Sequence, residues 1–211
     1  MKLPLFPLNA VLFPGGSLPL RVFEARYMDM ARDCLRNAAQ FGVCLITRGR
    51  ETGKPAECET VGCMASIAAW DMQQLGVLNL RTLGTQRFRV RHTAAQPDGL
   101  LVGDIEEIAA DIDAPLAPEH RPCATLLGRI IDDLDAQREA ALRDRPDAGG
   151  MLAANAIERP HRLESTVWVG NRLCEVLPVS LRAKQKLMEL DDARTRLDIV
   201  LRFLRQHAVL R

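Results

Sequence analysis

The chain is poor in most of the features that mark an enzyme, a membrane protein or a nucleic-acid binder. No apolar run in its 211 residues approaches the ~20 that a spanning helix needs. Met1-Lys2-Leu3-Pro4-Leu5 breaks its first apolar stretch with proline, which suits no signal peptide. A cytoplasmic location follows as an expectation, in a compartment that keeps thiols reduced. An excess of one charge is also lacking: Lys and Arg number 28 against 27 Asp and Glu, and the balance is 12 against 12 through Ile112 and 16 against 15 beyond it. Neither half is an electrostatic trap for phosphates, so nucleic acid is not the expected partner.

Chemical constellations are absent too. Of the six cysteines, Cys34, Cys44, Cys58, Cys63, Cys123 and Cys174, only Cys58 and Cys63 lie close, and no second pair or His-x-x-x-His follows to complete a tetrahedral metal site. The histidines His92, His120, His161 and His207 are scattered. Ser17, Ser66, Ser165 and Ser180 sit in no Gly-x-Ser-x-Gly frame. Gly49-Arg50-Glu51-Thr52-Gly53-Lys54-Pro55 is a failed phosphate loop: its glycines are one residue too close, and Pro55 stands where Ser or Thr would hold magnesium. An exposed turn accounts for it. Adjacent carboxylates such as Glu106-Glu107 and Asp132-Asp133 point to different faces rather than converging. No cofactor and no metal are expected.

What is present is a change of period along the chain. From Leu3 to Leu20, Leu, Phe and Val are interrupted by Pro4, Pro7, Pro14, Pro19 and Gly15-Gly16, the pattern of short extended segments and turns. Glu24 to Asn37 carries Tyr27, Met30, Ala31, Cys34 and Leu35 at helical spacing. Strand patterns follow at Phe41–Ile46, Val61–Trp70, Val77–Leu83, Gln86–His92 and Leu100–Ile108. In the fourth of these, Arg87, Arg89 and Arg91 alternate with Phe88 and Val90, giving one basic and one apolar face. Short strands, one embedded helix and no regular βαβ alternation predict an antiparallel, partly closed barrel.

Prolines 115, 118 and 122 mark a change of regime, and the expected units are 1–114 and 115–211, an α+β chain whose second part is a helical bundle. There Leu126, Leu127, Ile130, Ile131 and Leu134 form one stripe, and Leu163, Val167, Gly170, Cys174 and Leu177 another. Pro178 ends that helix and Ser180 is placed to cap a third through Leu181, Leu187, Met188 and Leu190. Leu197, Val200, Leu201 and Leu204 make a fourth. Asp144 to Gly150 reads as a loop.

The run Leu3-Pro-Leu-Phe-Pro-Leu-Asn-Ala-Val-Leu-Phe-Pro-Gly15, followed by Leu18-Pro-Leu-Arg-Val-Phe-Glu-Ala-Arg-Tyr-Met28, closely resembles the start of the Lon protease N-terminal, or substrate-binding, domain. Phe41-Gly-Val-Cys-Leu-Ile46, Val61-Gly-Cys-Met-Ala65 and Gly84-Thr-Gln-Arg-Phe-Arg-Val90 agree with it. So do Leu177-Pro-Val-Ser180 and Lys184-Gln-Lys-Leu-Met-Glu-Leu-Asp191, and the resemblance spans nearly the whole chain.

The resemblance implies a PUA-like pseudo-barrel followed by a helical bundle that engages unfolded or tagged polypeptide, with a protease or chaperone as further partner. In full-length Lon, ATPase and Ser-Lys protease domains follow; this chain has neither and reads as a stand-alone, non-catalytic adaptor. It departs from the family in the central hairpin, where Gln74-Leu75-Gly76-Val77 replaces Asp-Gly-Arg and loses a strong turn signal.

The candidate binding residues are Arg21, Glu24, Arg26 and Tyr27, which also have a structural account around the embedded helix, together with Trp70 and Met72 at a strand end. An aromatic beside an adaptable thioether suits apolar peptide side chains. Two other readings stand beside the adaptor: a nucleic-acid-binding PUA-like protein, and a hydrolase in which Cys34, Cys44 or Cys63 meets His92. The missing motifs predict that the purified protein neither hydrolyses ATP nor cleaves peptides. Turnover that survives repurification and disappears on mutating one of those three cysteines overturns this.

Overall fold

A computed structural model describes residues 1–144 and 157–209. The chain forms two compact units, Met1–Ala110 and Asp111–Arg211, a division four residues earlier than the one expected. The loop expected at Asp144–Gly150 falls, past residue 144, outside the described residues.

The first unit contains strands β1 (Lys2–Leu8), β2 (Ser17–Val22), β3 (Phe41–Arg48), β4 (Glu57–Cys58), β5 (Val61–Gln74), β6 (Val77–Ala95) and β7 (Leu101–Glu107), with helix α1 (Ala25–Asn37) between β2 and β3. Pairing runs β1-β7-β6-β5-β3-β4, and an additional β1–β3 pairing closes a ring of five strands. The sheet is not purely antiparallel, which corrects the expectation: β1 and β3 run parallel, with Leu5 opposite Gly42 and Leu8 opposite Leu45. Parallel neighbours need a long crossover, commonly a helix, and the segment containing α1 supplies it.

The two strands expected at Val77–Leu83 and Gln86–His92 are one, β6. Its first half pairs with β2 from Leu78 to Leu83, and its second half with β7 from Phe88 to Ala95. The basic face expected on that second half is incomplete. Arg91 is exposed and paired with Glu106 at 2.5 Å, but Arg87 is buried.

Strand β1, with a neighbour on each side, is buried on both faces, as near-continuous apolar strands are. Leu3 and Leu5 enter one cluster with Cys44, Met64, Phe88, Leu101 and Ile105. Phe6 and Leu8 enter another with Tyr27, Met30, Ala31 and Cys34 of α1 and with Leu20, Val22, Leu78 and Leu80. Phe88 is fully buried, and glycines make room for it: a Cβ at Gly42 or at Gly62 would lie 2.6 Å from its ring edge. The central hairpin closes in a tight turn between paired Gln74 and Val77, with Gly76 at φ +80°, a conformation glycine adopts without strain.

Within the second unit lie α2 (Arg121–Asp144), α3 (Thr166–Val176), α4 (Leu181–Glu189) and α5 (Ala193–Gln206). Ser180 caps α4 by accepting from the Ala183 N–H, and Ser165 caps α3 by accepting from the Trp168 N–H at 3.0 Å. Arg196 on α5 is 1% exposed and ties three segments together. It donates to Asp111 at 2.6 Å, to Asn171 of α3 at 3.0 Å, and to the carbonyls of Leu187 at 2.9 Å and Leu190 at 2.6 Å. Those carbonyls lie at the C-terminal end of α4, where a cation is favoured by the helix dipole. Arg196→Met strips buried Asp111 of this guanidinium and is expected to cost ~3–5 kcal/mol, the range for breaking a buried pair. Urea unfolding of the variant against the parent checks it.

Candidate functional site

In the first unit a cleft of about 280 Å³ opens beside β2, lined by residues of β1, β2, the start of α1 and the loop after β3. Its apolar wall comprises Phe6, Leu8, Leu18, Leu20 and Val22, with Phe23 and Tyr27 beside them. Phe23 is 57% exposed. It immediately precedes Glu24, the N-cap residue of α1, where the chain leaves the sheet.

Three of the six candidate residues meet here: Arg21, Glu24 and Tyr27 line the cleft. Tyr27 is buried and stacks on Phe6 with ring centroids 4.0 Å apart. Arg26 does not line the cleft. It is buried, pairs with Glu24 at 3.0 Å, donates to the Gly99 carbonyl at 3.0 Å, and lies over the Tyr27 ring at 4.6 Å. Arg21, on the exposed side of β2, reaches Gln74 at 3.4 Å. Trp70 and Met72 lie on β5, outside the cleft lining, and are 58% and 42% exposed.

Sequence reasoning missed Glu51 and Thr52, which line the cleft from the loop dismissed as an exposed turn. Glu51 accepts from the Asn9 N–H at 2.6 Å, and Glu24 accepts from the Gly53 N–H at 3.4 Å, so the loop is tied to the cleft by both carboxylates. No local pattern in the sequence signals that return. Phe23 was also missed, although an aromatic between a strand and a helix start is a visible signal.

The lining contains no Cys, His, Ser or Lys. Tyr27 is held in its phenol form, its pKa raised chiefly by burial; Arg26 opposes that shift and Glu24 reinforces it. Cys34, Cys44 and Cys63 are buried in the clusters of the first unit. Burial raises the Cys34 thiol, and Cys44 is raised well above its ordinary value by hydrogen bonding to Cys58 and by burial. In the second unit burial pushes Cys123 up to about 11 and Cys174 up to about 12. Thiolate nucleophiles need the opposite environment. Among the described residues no group of three or more His, Cys, Asp or Glu gathers to hold a metal, and no helix is long and apolar enough to cross a membrane.

The cleft is an apolar concavity with a mixed-charge rim beside β2. The profile of the ATP-dependent protease La (LON) substrate-binding domain matches residues 2–206, and the chain belongs to that family. It is similar to a Lon N-terminal domain protein from Xanthomonas campestris at 37% identity and a TM-score of 0.72, covering 95% of this chain and 97% of that one. The N-terminal domain of the Mycobacterium avium complex Lon protease shares the fold at 14% identity, with a TM-score of 0.58 and coverage of 98% and 100%. The Lon protease of Anaeromyxobacter dehalogenans (strain 2CP-C) is 25% identical over 96% of this chain, which spans 23% of that protein's length.

Tyr27 is part of the cleft wall and of the core at once. Tyr27→Ala is expected to lose ~3–5 kcal/mol, as truncation of large buried aromatics does, whereas Tyr27→Phe, which keeps the ring stack, should stay within ~1.5 kcal/mol of the parent. Thermal and urea unfolding measure both. An alanine variant as stable as the parent but unable to bind polypeptide would assign Tyr27 to recognition alone.

Proposed function

We propose that this protein is a non-catalytic polypeptide-binding module that seats apolar side chains of unfolded or extended chains in the cleft beside β2. The carrying observation is the apolar wall formed by Phe6, Leu8, Leu18, Leu20 and Val22, continued to the surface by exposed Phe23. A volume of about 280 Å³ falls just below the ~300–1,000 Å³ of pockets for whole small molecules; it suits a few side chains of a longer ligand. The family description, a substrate-binding domain of a protease, supports the same class of ligand.

In this reading the first unit is a PUA-like pseudo-barrel, the second a helical bundle, and the protein works as a cytoplasmic adaptor beside a protease or chaperone partner. Arg21, Glu24 and Glu51 on the rim orient the bound chain, and Arg26 positions Glu24 and Tyr27 from beneath.

An extended segment gives up conformational freedom on binding, so contact over a short stretch leaves a modest surplus. Dissociation constants on the order of micromolar to hundreds of micromolar are expected. Apolar contact makes them nearly independent of salt, while phosphate contacts would give a steep slope. The test titrates labelled unfolded protein and single-stranded RNA at low and high salt, with the parent and with Phe23→Ala. The exposed position of Phe23 leaves folding intact in that variant, and binding should weaken by about 1 kcal/mol, roughly fivefold. Tight, salt-sensitive RNA binding with no response to unfolded protein would replace this reading with the nucleic-acid one.

A further inference from the structure

Strand β5 is longer than its neighbour on one side. β3 pairs with it only where Phe41, Gly42 and Val43 face Ala65, Met64 and Cys63, while on its other side β6 accompanies it as far as Gln74. From Ser66 to Gln74 the outer edge of β5 has no strand partner among the described residues. Ala68, Ala69, Trp70, Met72 and Gln74 are exposed along it. Such an edge presents a row of backbone donors and acceptors ready to accept another strand.

Natural edges are usually blunted by lysine, proline or charge turned toward the edge. Here the stretch Ser66–Gly76 contains no proline and no basic residue, and Asp71 is its single charge. Register irregularities between Ile67 and Ala69 and between Asp71 and Gln74 leave Trp70 and Asp71 in regular pairing with Leu80 and Asn79. Trp70 therefore shares a face with Leu80 and, across β6, with Leu20. Asp71 shares the opposite face with Asn79 and Arg21. Exposed Met72 follows Trp70 by two residues and exposed Leu75 closes the hairpin.

We propose that the free edge of β5 around Trp70–Met72 binds an extended polypeptide segment by adding it to the sheet as a strand, with preference for a basic residue between two apolar ones. Backbone pairing supplies the sequence-independent part, as in other strand-addition modes. The alternation at the regularly paired Trp70 and Asp71 supplies the rest: a ligand residue opposite Trp70 lies on its apolar face, with exposed Met72 two residues on, and the adjacent ligand residue lies beside the Asp71 carboxylate. A second copy of this chain is the weaker occupant, because two-fold pairing centred on this stretch sets Asp71 against Asp71, and like charges directly opposite are destabilising. The inference rests on the polypeptide-binding reading and adds to it a second surface and a backbone-directed mode.

The test uses the full chain and a labelled extended peptide with a central Leu-Lys-Leu, measured by fluorescence anisotropy. Two further versions carry N-methyl groups on alternate backbone amides, one version in each frame. In a paired strand, alternate residues direct their N–H groups to the neighbour and the others to solvent. One frame should therefore lose at least about tenfold in affinity while the other stays within about threefold of the unmodified peptide. Asp71→Lys, at a surface position, should turn the preference from a central Lys to a central Glu. Amide exchange at 68–74 should slow on addition of peptide. Equal binding in both methylated frames overturns the edge mode while leaving the cleft reading intact. Loss of binding by the unmodified peptide and by unfolded protein alike removes both. Protection at 68–74 that grows with protein concentration and no peptide overturns it in favour of self-pairing.

Discussion

The ring of Phe88 is the piece around which the closed sheet of the first unit is arranged. It is fully buried between strands, and the chain meets it with glycine at positions 42 and 62, where a Cβ would come within 2.6 Å. Packing at this density tolerates neither a larger residue at those positions nor a smaller one at 88. Gly42 stands opposite Leu5 in the parallel β1–β3 pairing, and Gly62 opposite Phe88 in the β5–β6 pairing. The same contact therefore fixes two of the five pairings that close the ring. Closure leaves β1 with no free edge and buries it on both faces, although Pro4 and Pro7, opposite Val102 and Cys44, have no backbone N–H to give to the ladder.

The cleft and the free edge both follow from that closure. β6 is too long to be used up by the ring. Its second half pairs with β7 inside it, and its first half extends outward with β2 on one side and β5 on the other. On the β2 side, α1 and the loop carrying Glu51 come close enough to make an apolar concavity. On the β5 side strand pairing with β3 ends at Ala65, although α1 also packs against β5. One three-stranded extension thus carries the apolar cleft along one margin and a strand edge without a strand partner along the other.

Arg26 shows how a charged residue near a site can serve its architecture. Its guanidinium is removed from solvent, bonded to Glu24 and Gly99 and laid over Tyr27. Burying an isolated cation is costly, and these partners compensate it while fixing the entry of α1. Glu24 thereby acts at the start of the helix through Arg26 and through the Gly53 N–H, and its side chain makes no capping bond to the helix backbone. In the second unit Arg196 performs the equivalent work for α4 and α5.

Local chemistry was sufficient for much of this protein. Helical spacing placed α1 within a residue of its observed start, most residues of the apolar stripes expected in the second unit fall on its helices, Leu163 lying outside, and Ser180 was recognisable as a cap, because each depends on residues only a few positions apart. The motifs shared with the Lon substrate-binding domain named the family directly. What local pattern could not contain is pairing between distant segments. The parallel β1–β3 match, the fusion of two expected strands into β6, the burial of Arg87 and the return of the Glu51 loop all depend on which surfaces meet between segments far apart along the chain. Side-chain period is the same for parallel and antiparallel neighbours, so the sequence can state that β1 is a strand and cannot state whom it pairs with. Only the folded sheet decides that Arg21, Glu24 and Tyr27 share a cleft while Trp70 and Met72 stand on an open edge, because a site is a matter of distance in space and the sequence records only distance along the chain.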